Sequence, residues 1–328
     1  MRRICVFGAG AIGGMVAAHL AEAGADVSVV ARGAHLRAIQ ERGLMVRTEA
    51  GTMISRPQAS DNPAVLGRQD AVIVTVKAPS LPEVARSIAP LLGPETPVVF
   101  LMNGIPWWYF HHHGGPHDGT RLDALDPGGA LWDGMGVARA IGGVVYAPCT
   151  VAAPGEIHVE GSHSRIELGE PDGSLSPRIE ALAGLLRKGG LPAQADPKIR
   201  DRIWTKLLLG LAFAPIQVLT QAPPSIAMQN DAVADAARRM IAEGQAIAAA
   251  MGCEAKLRDP EAPIRISRAS GHKASALQDL EAGRKMEVDA MFGVPLQFAR
   301  MAGVATPTLD LFVAMLKTRA QVAGLYNG

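Results

Sequence analysis

Cysteine is scarce in this sequence, and neither sign of charge prevails. Among 328 residues there are three cysteines, Cys5, Cys149 and Cys253, which lie far apart along the chain. A disulfide framework or a zinc site needs more numerous or closer cysteines, so we expect neither, no metal, and a reducing, cytoplasmic compartment. The formal net charge is +1, so we expect no partner among nucleic acids or anionic membranes.

The N-terminus lacks an apolar run of membrane-spanning length. The stretch MRRICVFGAGAIGGMVAAHLAEAG is basic and then apolar, as a signal peptide is, but glycines interrupt it. We expect a folded segment there, because the glycines have another explanation. A content of 48% apolar and 19% charged residues predicts a globular protein, and the length suits two domains.

Strand and helix signals alternate through the first part of the chain. Such alternation indicates βαβ units and a parallel sheet. The strand signals are RRICVFGAG, DVSVVAR, DAVIVTVKA and PVVFLMNG; the helical ones between them are AIGGMVAAHLAEAG, GAHLRAIQERG and PSLPEVARSIAPLLG.

The pattern of secondary-structure signals changes after residue 141. IGGVVYAPCTVAAPGEIHVEG and SRIELGE predict antiparallel strands, and KGGLPAQADPK predicts a hinge. Beyond residue 198 only helices are predicted. We therefore expect an α/β Rossmann domain over 1–195, with a mostly parallel sheet and an antiparallel extension, and an all-α domain over 198–328. The predicted helices lie around 198–221, 224–251, 274–282, 285–302 and 307–324.

A glycine-rich turn follows the first predicted strand and opens the first predicted helix. Gly8, Gly10 and Gly13 form GxGxxG, with Ala11 and Ile12 at the helix start. The first glycine suits a tight turn, the second lets the backbone approach a pyrophosphate, and the third lets the helix pack on the strand. The helix N-terminus adds free N–H groups and partial positive charge. The pattern predicts a dinucleotide site.

The end of the second strand indicates which dinucleotide binds. An NAD site usually has an acidic residue there, whereas this strand ends in Arg32. An arginine suits the 2′-phosphate of NADPH, although it is also compatible with an ordinary surface cation. Lys77 ends another strand at the edge where ligands bind, and is a second candidate contact.

Five stretches spread along the chain form a recognisable series of motifs: GAGAIGG at 8–14, VKA at 76–78, MNG at 102–104, WTKL at 204–207 and SALQDLEAGRKMEVD at 275–289. The last is the most specific, because it places a serine, a Gln-Asp pair, an arginine and E-x-D in one order: Ser275, Gln278, Asp279, Arg284, Glu287 and Asp289. In these five stretches the sequence resembles the ketopantoate reductases (2-dehydropantoate 2-reductases).

The resemblance implies a fold, a reaction and roles for the matched residues. It implies a helical domain like that of 6-phosphogluconate dehydrogenase, an active site in a cleft between the domains, and NADPH-dependent reduction of 2-dehydropantoate to pantoate in pantothenate biosynthesis. Lys206 would be the general acid. Glu287 and Ser275 would hold the substrate, and Asn103 would lie between nicotinamide and substrate. Arg32 and Lys77 would face the cofactor.

The chemistry of these residue types agrees with the implied roles. Hydride transfer to a ketone develops negative charge on oxygen, which a nearby cation stabilises and a proton neutralises. Lys206 lies in the apolar run WTKLLLGLAFAP, where burial destabilises an ammonium and favours proton donation. The alternative is a snorkelling surface lysine. Glu287 could orient the substrate or be an ordinary surface acid, and Asp289 and Arg284 suit an ion pair or caps.

The chain departs from the family pattern after Lys206. Family members have K-x-x-x-N-x-x-x-N, whereas the corresponding residues here are Gly210 and Ala214. Both lie on the helix face of Lys206, so a roomier and less polar substrate pocket is expected. No structural reason for Gly210 is evident from the sequence. A related enzyme that reduces a different 2-oxo acid is therefore an alternative, and a non-catalytic NADPH-binding regulator is another.

Two segments and the oligomeric state stay open. HHHGGPH, residues 111–117, has four histidines but no spaced carboxylate or cysteine ligands, so a solvated loop is favoured over a metal site. The cluster WWYF at 107–110 suits either a cleft wall or a core. A homodimer is neither indicated nor excluded.

Overall fold

The structure, a computed structural model, describes residues 1–255, 257 and 259–327. Two units divide the chain. The first comprises Met1–Met102 and Pro106–Ile199, and the second comprises Asn103–Ile105 and Arg200–Gly328.

An eight-stranded sheet forms the centre of the first unit. Its strands are β1 (Arg3–Phe7), β2 (Asp26–Val30), β5 (Gln58–Ser60), β6 (Ala71–Val74), β7 (Val98–Leu101), β8 (Ala140–Tyr146), β11 (Arg165–Gly169) and β12 (Ala193–Ala195). The buried segments rich in valine and isoleucine form its middle strands β1, β2, β6 and β7. The order is β12-β11-β8-β7-β6-β1-β2-β5, and every neighbouring pair is parallel except β8 with β11. The mostly parallel sheet with an antiparallel extension is thus confirmed.

A smaller, four-stranded sheet completes the first unit. Its order is β4-β3-β10-β9, with β3 (Leu44–Thr48), β4 (Gly51–Ser55), β9 (Cys149–Ala153) and β10 (Glu156–Val159). Helix α1 (Ala11–Glu22) contacts strands of both sheets, and an ideal Cβ on its Gly14 would lie 2.7 Å from Ile157 of β10. The other helices of this unit are α2 (Gly33–Arg42), α3 (Leu81–Ser87) and α4 (Pro177–Lys188).

The order of the large sheet reverses at β1. The chain runs from β1 to β2 and β5 on one side, and through β6, β7 and β8 on the other. Ligands of open α/β sheets bind beyond the carboxyl ends of the strands at such a reversal. Phe7 is in register with Val30 of β2 and Val74 of β6, so the residues after these three strands share one edge.

The second unit is helical in its described residues. Its largest buried side chains include Trp204, Phe292 and Phe298. The helices are α5 (Ile199–Thr220), α6 (Pro224–Ala227), α7 (Asp231–Ala250), α8 (Ala262–Ala269), α9 (Ser275–Glu281), α10 (Val294–Met301) and α11 (Pro307–Val322), with a π-helical segment at Asp289–Gly293.

Several local predictions differ from the structure. KGGLPAQADPK is not simply a hinge, because Ala193–Ala195 within it pairs with β11. The helix predicted over 224–251 is two helices, since the Asn230 side chain accepts hydrogen bonds from the N–H groups of Ala232 and Val233 and starts α7 anew. Strands β3 to β5 and helix α8 were not predicted.

Helix α5 has the length and apolarity of a membrane span, with a mean hydropathy of 1.5 over its best window. However, 67% of that window is buried inside the protein, as in the core helix of a globular protein. This observation is weak evidence for a membrane.

Candidate functional site

The glycine-rich turn lies at the sheet reversal. Gly8 follows β1 with φ +105°, a conformation that side chains rarely adopt. The N–H groups of Gly8 and Ala9 both donate to the carbonyl of Val30, at 3.0 and 3.1 Å. The turn is therefore tied to the end of β2 before α1 begins.

Gly10 and Gly13 differ in what a side chain would meet. An ideal Cβ on Gly13 would lie 2.0 Å from the Gly8 carbonyl oxygen, so only glycine allows α1 to pack this closely. An ideal Cβ on Gly10 would meet nothing within 4 Å. The backbone N–H groups of the first turn of α1, which includes Ala11 and Ile12, have no intrahelical acceptor. Open space beside them fits a pyrophosphate.

Two residues that the sequence did not single out also hold this turn. Thr75, which follows β6, donates its hydroxyl to the Gly8 carbonyl at 2.5 Å. The Gly155 N–H donates to Nδ1 of His35 at 2.9 Å, so Nε2 carries the ring proton and donates to the Ala9 carbonyl at 2.6 Å. These contacts connect segments far apart in the chain, and no local pattern indicates them.

Arg32 follows β2 at the same edge, as its proposed cofactor role requires. Its guanidinium donates to both carboxylate oxygens of Glu83 in α3, at 2.9 and 2.8 Å. The two side chains are 67% and 46% exposed, so a ligand can reach the pair. Lys77 comes just after β6 and is half-buried.

Three of the predicted residues in the second unit form one hydrogen-bonded chain. Lys206 Nζ donates to Asn103 Oδ1 at 2.9 Å, and Asn103 Nδ2 donates to Glu287 Oε2 at 3.2 Å. The amide thus lies between an ammonium and a carboxylate, and each of its ends faces the charge that it can bind. Glu287 is 9% exposed, whereas Lys206 and Asn103 are half-buried.

Close backbone packing positions Asn103. Gly104 has φ +79°, and an ideal Cβ there would lie 2.3 Å from the Ala290 carbonyl oxygen. The Ile105 N–H donates to the same carbonyl at 2.8 Å. The Asn-Gly pair is therefore more than a turn, because Gly104 brings Asn103 to the segment that carries Glu287.

Other residues of the stretch at 275–289 make structural contacts. Arg284 donates to the buried carboxylate of Asp279 at 2.9 Å, so its ion pair forms with Asp279 and not with Asp289. Asp289 accepts a hydrogen bond from the Tyr326 hydroxyl at 2.7 Å, and burial together with this bond raises the pKa of Tyr326. Both contacts hold the segment around Glu287.

Ser275, a predicted substrate residue, lies outside the hydrogen-bonded series Lys206–Asn103–Glu287. It is exposed at the first position of α9, and no hydrogen bond joins its hydroxyl to Lys206, Asn103 or Glu287 in the described residues. The N-terminus of α9 is held by Gln217 of α5, whose side-chain oxygen accepts from the Ala274 N–H at 2.8 Å.

Gly210 has a structural reason that the sequence does not reveal. An ideal Cβ on Gly210 would lie 2.6 Å from Cε of Met291, so the methionine methyl packs against the glycine. The expected roominess at this position is wrong in that respect, since a thioether fills the space. Ala214, one turn further along α5, is 3% exposed.

The aromatic cluster and the histidines belong to the first unit. Trp107, Trp108, Tyr109 and Phe110 are at most 1% exposed, which makes them core residues and answers the question left open by the sequence. Trp107 packs edge-on against Phe100 and Trp132. Among the described residues, no three His, Cys, Asp or Glu side chains are grouped as metal ligands.

Family models match both halves of the chain. The model described as "Ketopantoate reductase PanE/ApbA" matches residues 4–112, and that of its C-terminal part matches residues 198–320. A 2-dehydropantoate 2-reductase from Mesorhizobium japonicum is 44% identical over 99% of this chain and 100% of its own length.

Solved structures give the same result. A structure from Ralstonia solanacearum superposes with a TM-score of 0.91 at 39% identity, covering 99% of this chain and 100% of that one. A 2-dehydropantoate 2-reductase from Geobacter metallireducens superposes with a TM-score of 0.83 at 28% identity, covering 96% and 99%. The Rossmann domain followed by a helical domain is thereby confirmed.

Proposed function

The chain belongs to the ketopantoate reductase family, and we propose that it reduces 2-dehydropantoate to pantoate with NADPH and with Lys206 as the general acid. It is an oxidoreductase that acts on CH–OH groups and on a small keto acid. The observation that carries the proposal is the chain Lys206–Asn103–Glu287, since a reductase needs a positioned proton donor and a mere NADPH sensor does not.

The cofactor fits the residues of the first unit. The first turn of α1 and the open space at Gly10 would hold the pyrophosphate, and Arg32 and Lys77 would hold the 2′-phosphate and ribose. When bound, the nicotinamide supplies the hydride for the ketone carbon. No Asp or Glu stands at the end of β2, which supports NADPH over NADH.

The proton comes from the second unit. The Lys206 ammonium donates a hydrogen bond to the 2-oxo oxygen, stabilises the negative charge that develops there, and gives it a proton. Asn103 accepts one of the three ammonium N–H bonds and so fixes the direction of the others. Glu287 accepts a hydrogen bond from the Asn103 amide and so holds this amide in one orientation. The Glu287 carboxylate also keeps negative charge near the ammonium. Solvent can reprotonate Lys206, which is half-buried.

Steady-state kinetics with NADPH tests the proposal. With 2-dehydropantoate we expect a kcat of about 1 s⁻¹ or more, which is the range of ordinary enzymes. The rate is measured as the loss of the absorbance of the reduced nicotinamide. Turnover of another 2-oxo acid with none of 2-dehydropantoate would favour the related-enzyme alternative. Tight NADPH binding without turnover of any 2-oxo acid would favour the regulator.

The Arg32–Glu83 pair makes a separate prediction about cofactor choice. We expect Arg32→Ala to lower the ratio of kcat/KM for NADPH over NADH by about 10- to 100-fold, because charge-assisted hydrogen bonds to the 2′-phosphate are lost. Glu83→Gln should raise the same ratio by a few-fold, because it frees the guanidinium from an exposed pair worth about 0–1 kcal/mol.

The two variants control each other, because they break the same ion pair. If breaking the pair alone mattered, both ratios would move in one direction. An unchanged ratio in Arg32→Ala would show that Arg32 does not read the 2′-phosphate.

A further inference from the structure

Helix α5 and the segment from Glu287 to Met291 face each other at two successive helical turns, here called the first and the second level. At the first level Lys206 and Glu287 are bridged by Asn103. Each then has a residue four positions later on the same face: Gly210 in α5, and Met291, whose N–H donates to the Glu287 carbonyl at 3.1 Å. At this second level the Met291 methyl packs on Gly210. One helical turn beyond Lys206 and Glu287, the two segments therefore meet through a thioether packed on a glycine.

This second level is apolar and reachable. Gly210 and Met291 are both half-buried, whereas Ala214 behind them is buried. Neither Gly210 nor Ala214 has a polar side-chain atom, and a thioether is at most a weak acceptor. Met291 also lies in the π-helical segment Asp289–Gly293, a geometry frequent at functional sites.

We infer that Met291, packed against Gly210, contacts the substituents on C3 of the 2-oxo acid. It determines which substituents the site accepts, and it favours alkyl groups. The inference rests on the proposed function, because it places the 2-oxo oxygen at Lys206. A ketone bound there has its C3 substituents near the adjoining helical turn. The Met291 thioether packs against methyl groups and offers no strong partner to a hydroxyl, so a hydroxyl adds little to transition-state binding at this wall.

One pair of substrates isolates the hydroxyl. Trimethylpyruvate is 2-dehydropantoate without its hydroxyl and is otherwise the same 2-oxo acid. A site built to bond a hydroxyl rejects the analogue that lacks it by about 10⁴-fold or more. We expect the wild-type protein to reduce both acids with NADPH, with kcat/KM values within about tenfold of each other.

Variants at Met291 then test whether this residue sets the ratio of the two kcat/KM values. Met291→Gln keeps the length of the side chain and adds an amide, so the kcat/KM ratio of 2-dehydropantoate to trimethylpyruvate should rise about two- to tenfold. Met291→Ala removes the apolar wall and should lower kcat/KM for both acids by about tenfold or more. Met315→Gln, on the exposed face of α11, is the matched control and should leave the ratio unchanged.

The ratio has an advantage over either rate alone. Any loss of folded protein lowers both rates equally and cancels. Gly210→Ala adds an internal check, because its Cβ displaces the Met291 methyl: it should impair kcat/KM in the wild type and much less in Met291→Ala.

The outcomes separate the two proposals. Turnover of 2-dehydropantoate with more than about 10³-fold rejection of trimethylpyruvate would overturn this inference and leave the proposed function intact. A ratio that Met291→Gln does not move would also overturn it. Absence of turnover with 2-dehydropantoate would contradict the proposed function itself. Comparable rates on both acids, with the ratio shifted by Met291→Gln, support the inference.

Discussion

Replacing Lys206 by alanine is expected to lower kcat by about 10²- to 10⁴-fold while the protein stays folded. Loss of a positioned general acid has an effect of this size, and loss of the ammonium also removes charge stabilisation at the ketone oxygen. The side chain is half-buried and donates a hydrogen bond to Asn103 from its tip, and alanine is the best helix former, so we expect α5 to stay folded. Single-turnover reduction of 2-dehydropantoate by bound NADPH measures the chemical step directly.

Matched variants distinguish catalysis from positioning. Lys206→Arg keeps the charge but not a proton that is readily given up, so it should recover part of the charge stabilisation and little of the proton transfer. Small primary amines added to Lys206→Ala should restore activity in proportion to their protonated form, which a purely structural lysine would not permit. A kcat within tenfold of wild type in Lys206→Ala would show that another group donates the proton.

The sequence indicated the participants of the site better than their arrangement. GxGxxG after a short strand predicted the turn, because Gly8 and Gly13 meet steric demands of the turn that this structure shows. Lys206, Asn103 and Glu287 were named from the resemblance. That one amide bridges the two charges depends on contacts across 103 and 184 residues, which no local pattern contains.

Met291 shows why the rest was not predictable. In the sequence it is one of the apolar residues in KMEVDAMFG, with no periodicity that sets it apart. The role proposed for Met291 depends on its contact with Gly210, which lies 81 positions earlier in the sequence. It also depends on Asn103, which connects the two segments by hydrogen bonds. An apparent loss of two asparagines was visible in the sequence, but the side chain that fills one of the vacated positions was not.

The strands that were missed have a related explanation. β3 pairs with β4 as a hairpin and, along its other edge, with β10, which comes more than 100 residues later. Three of the five residues of β4 have polar or no side chains, so its burial pattern is weak and tertiary pairing decides its conformation. Helix α1 was predicted from its own run of apolar residues, most of which are buried, and the helix contacts strands of both sheets.

The second large effect concerns alanine variants of two glycines in one turn, of which one should lose stability and the other should lose cofactor affinity. Gly13→Ala places a Cβ 2.0 Å from the Gly8 carbonyl oxygen and 2.4 Å from Thr75 Oγ1, so α1 must move away from β1. We expect a loss of about 1–3 kcal/mol or more in the free energy of unfolding, and loss of NADPH binding with it. Gly10→Ala meets no protein atom within 4 Å and has φ −67°, so the thermal midpoint without cofactor should hardly change.

The difference between these variants appears when NADPH is added. If the pyrophosphate approaches the backbone at Gly10, the added methyl group occupies its place, and Kd should rise about tenfold or more. The stabilisation by saturating NADPH, about 2.7 kcal/mol at 100 times Kd, should shrink accordingly. Gly184→Ala in α4, where a Cβ meets nothing nearer than 3.7 Å, is the control and should be neutral or slightly stabilising. Full NADPH stabilisation of Gly10→Ala would place the pyrophosphate elsewhere, whereas an unchanged midpoint for Gly13→Ala would mean that α1 does not pack on the turn as described.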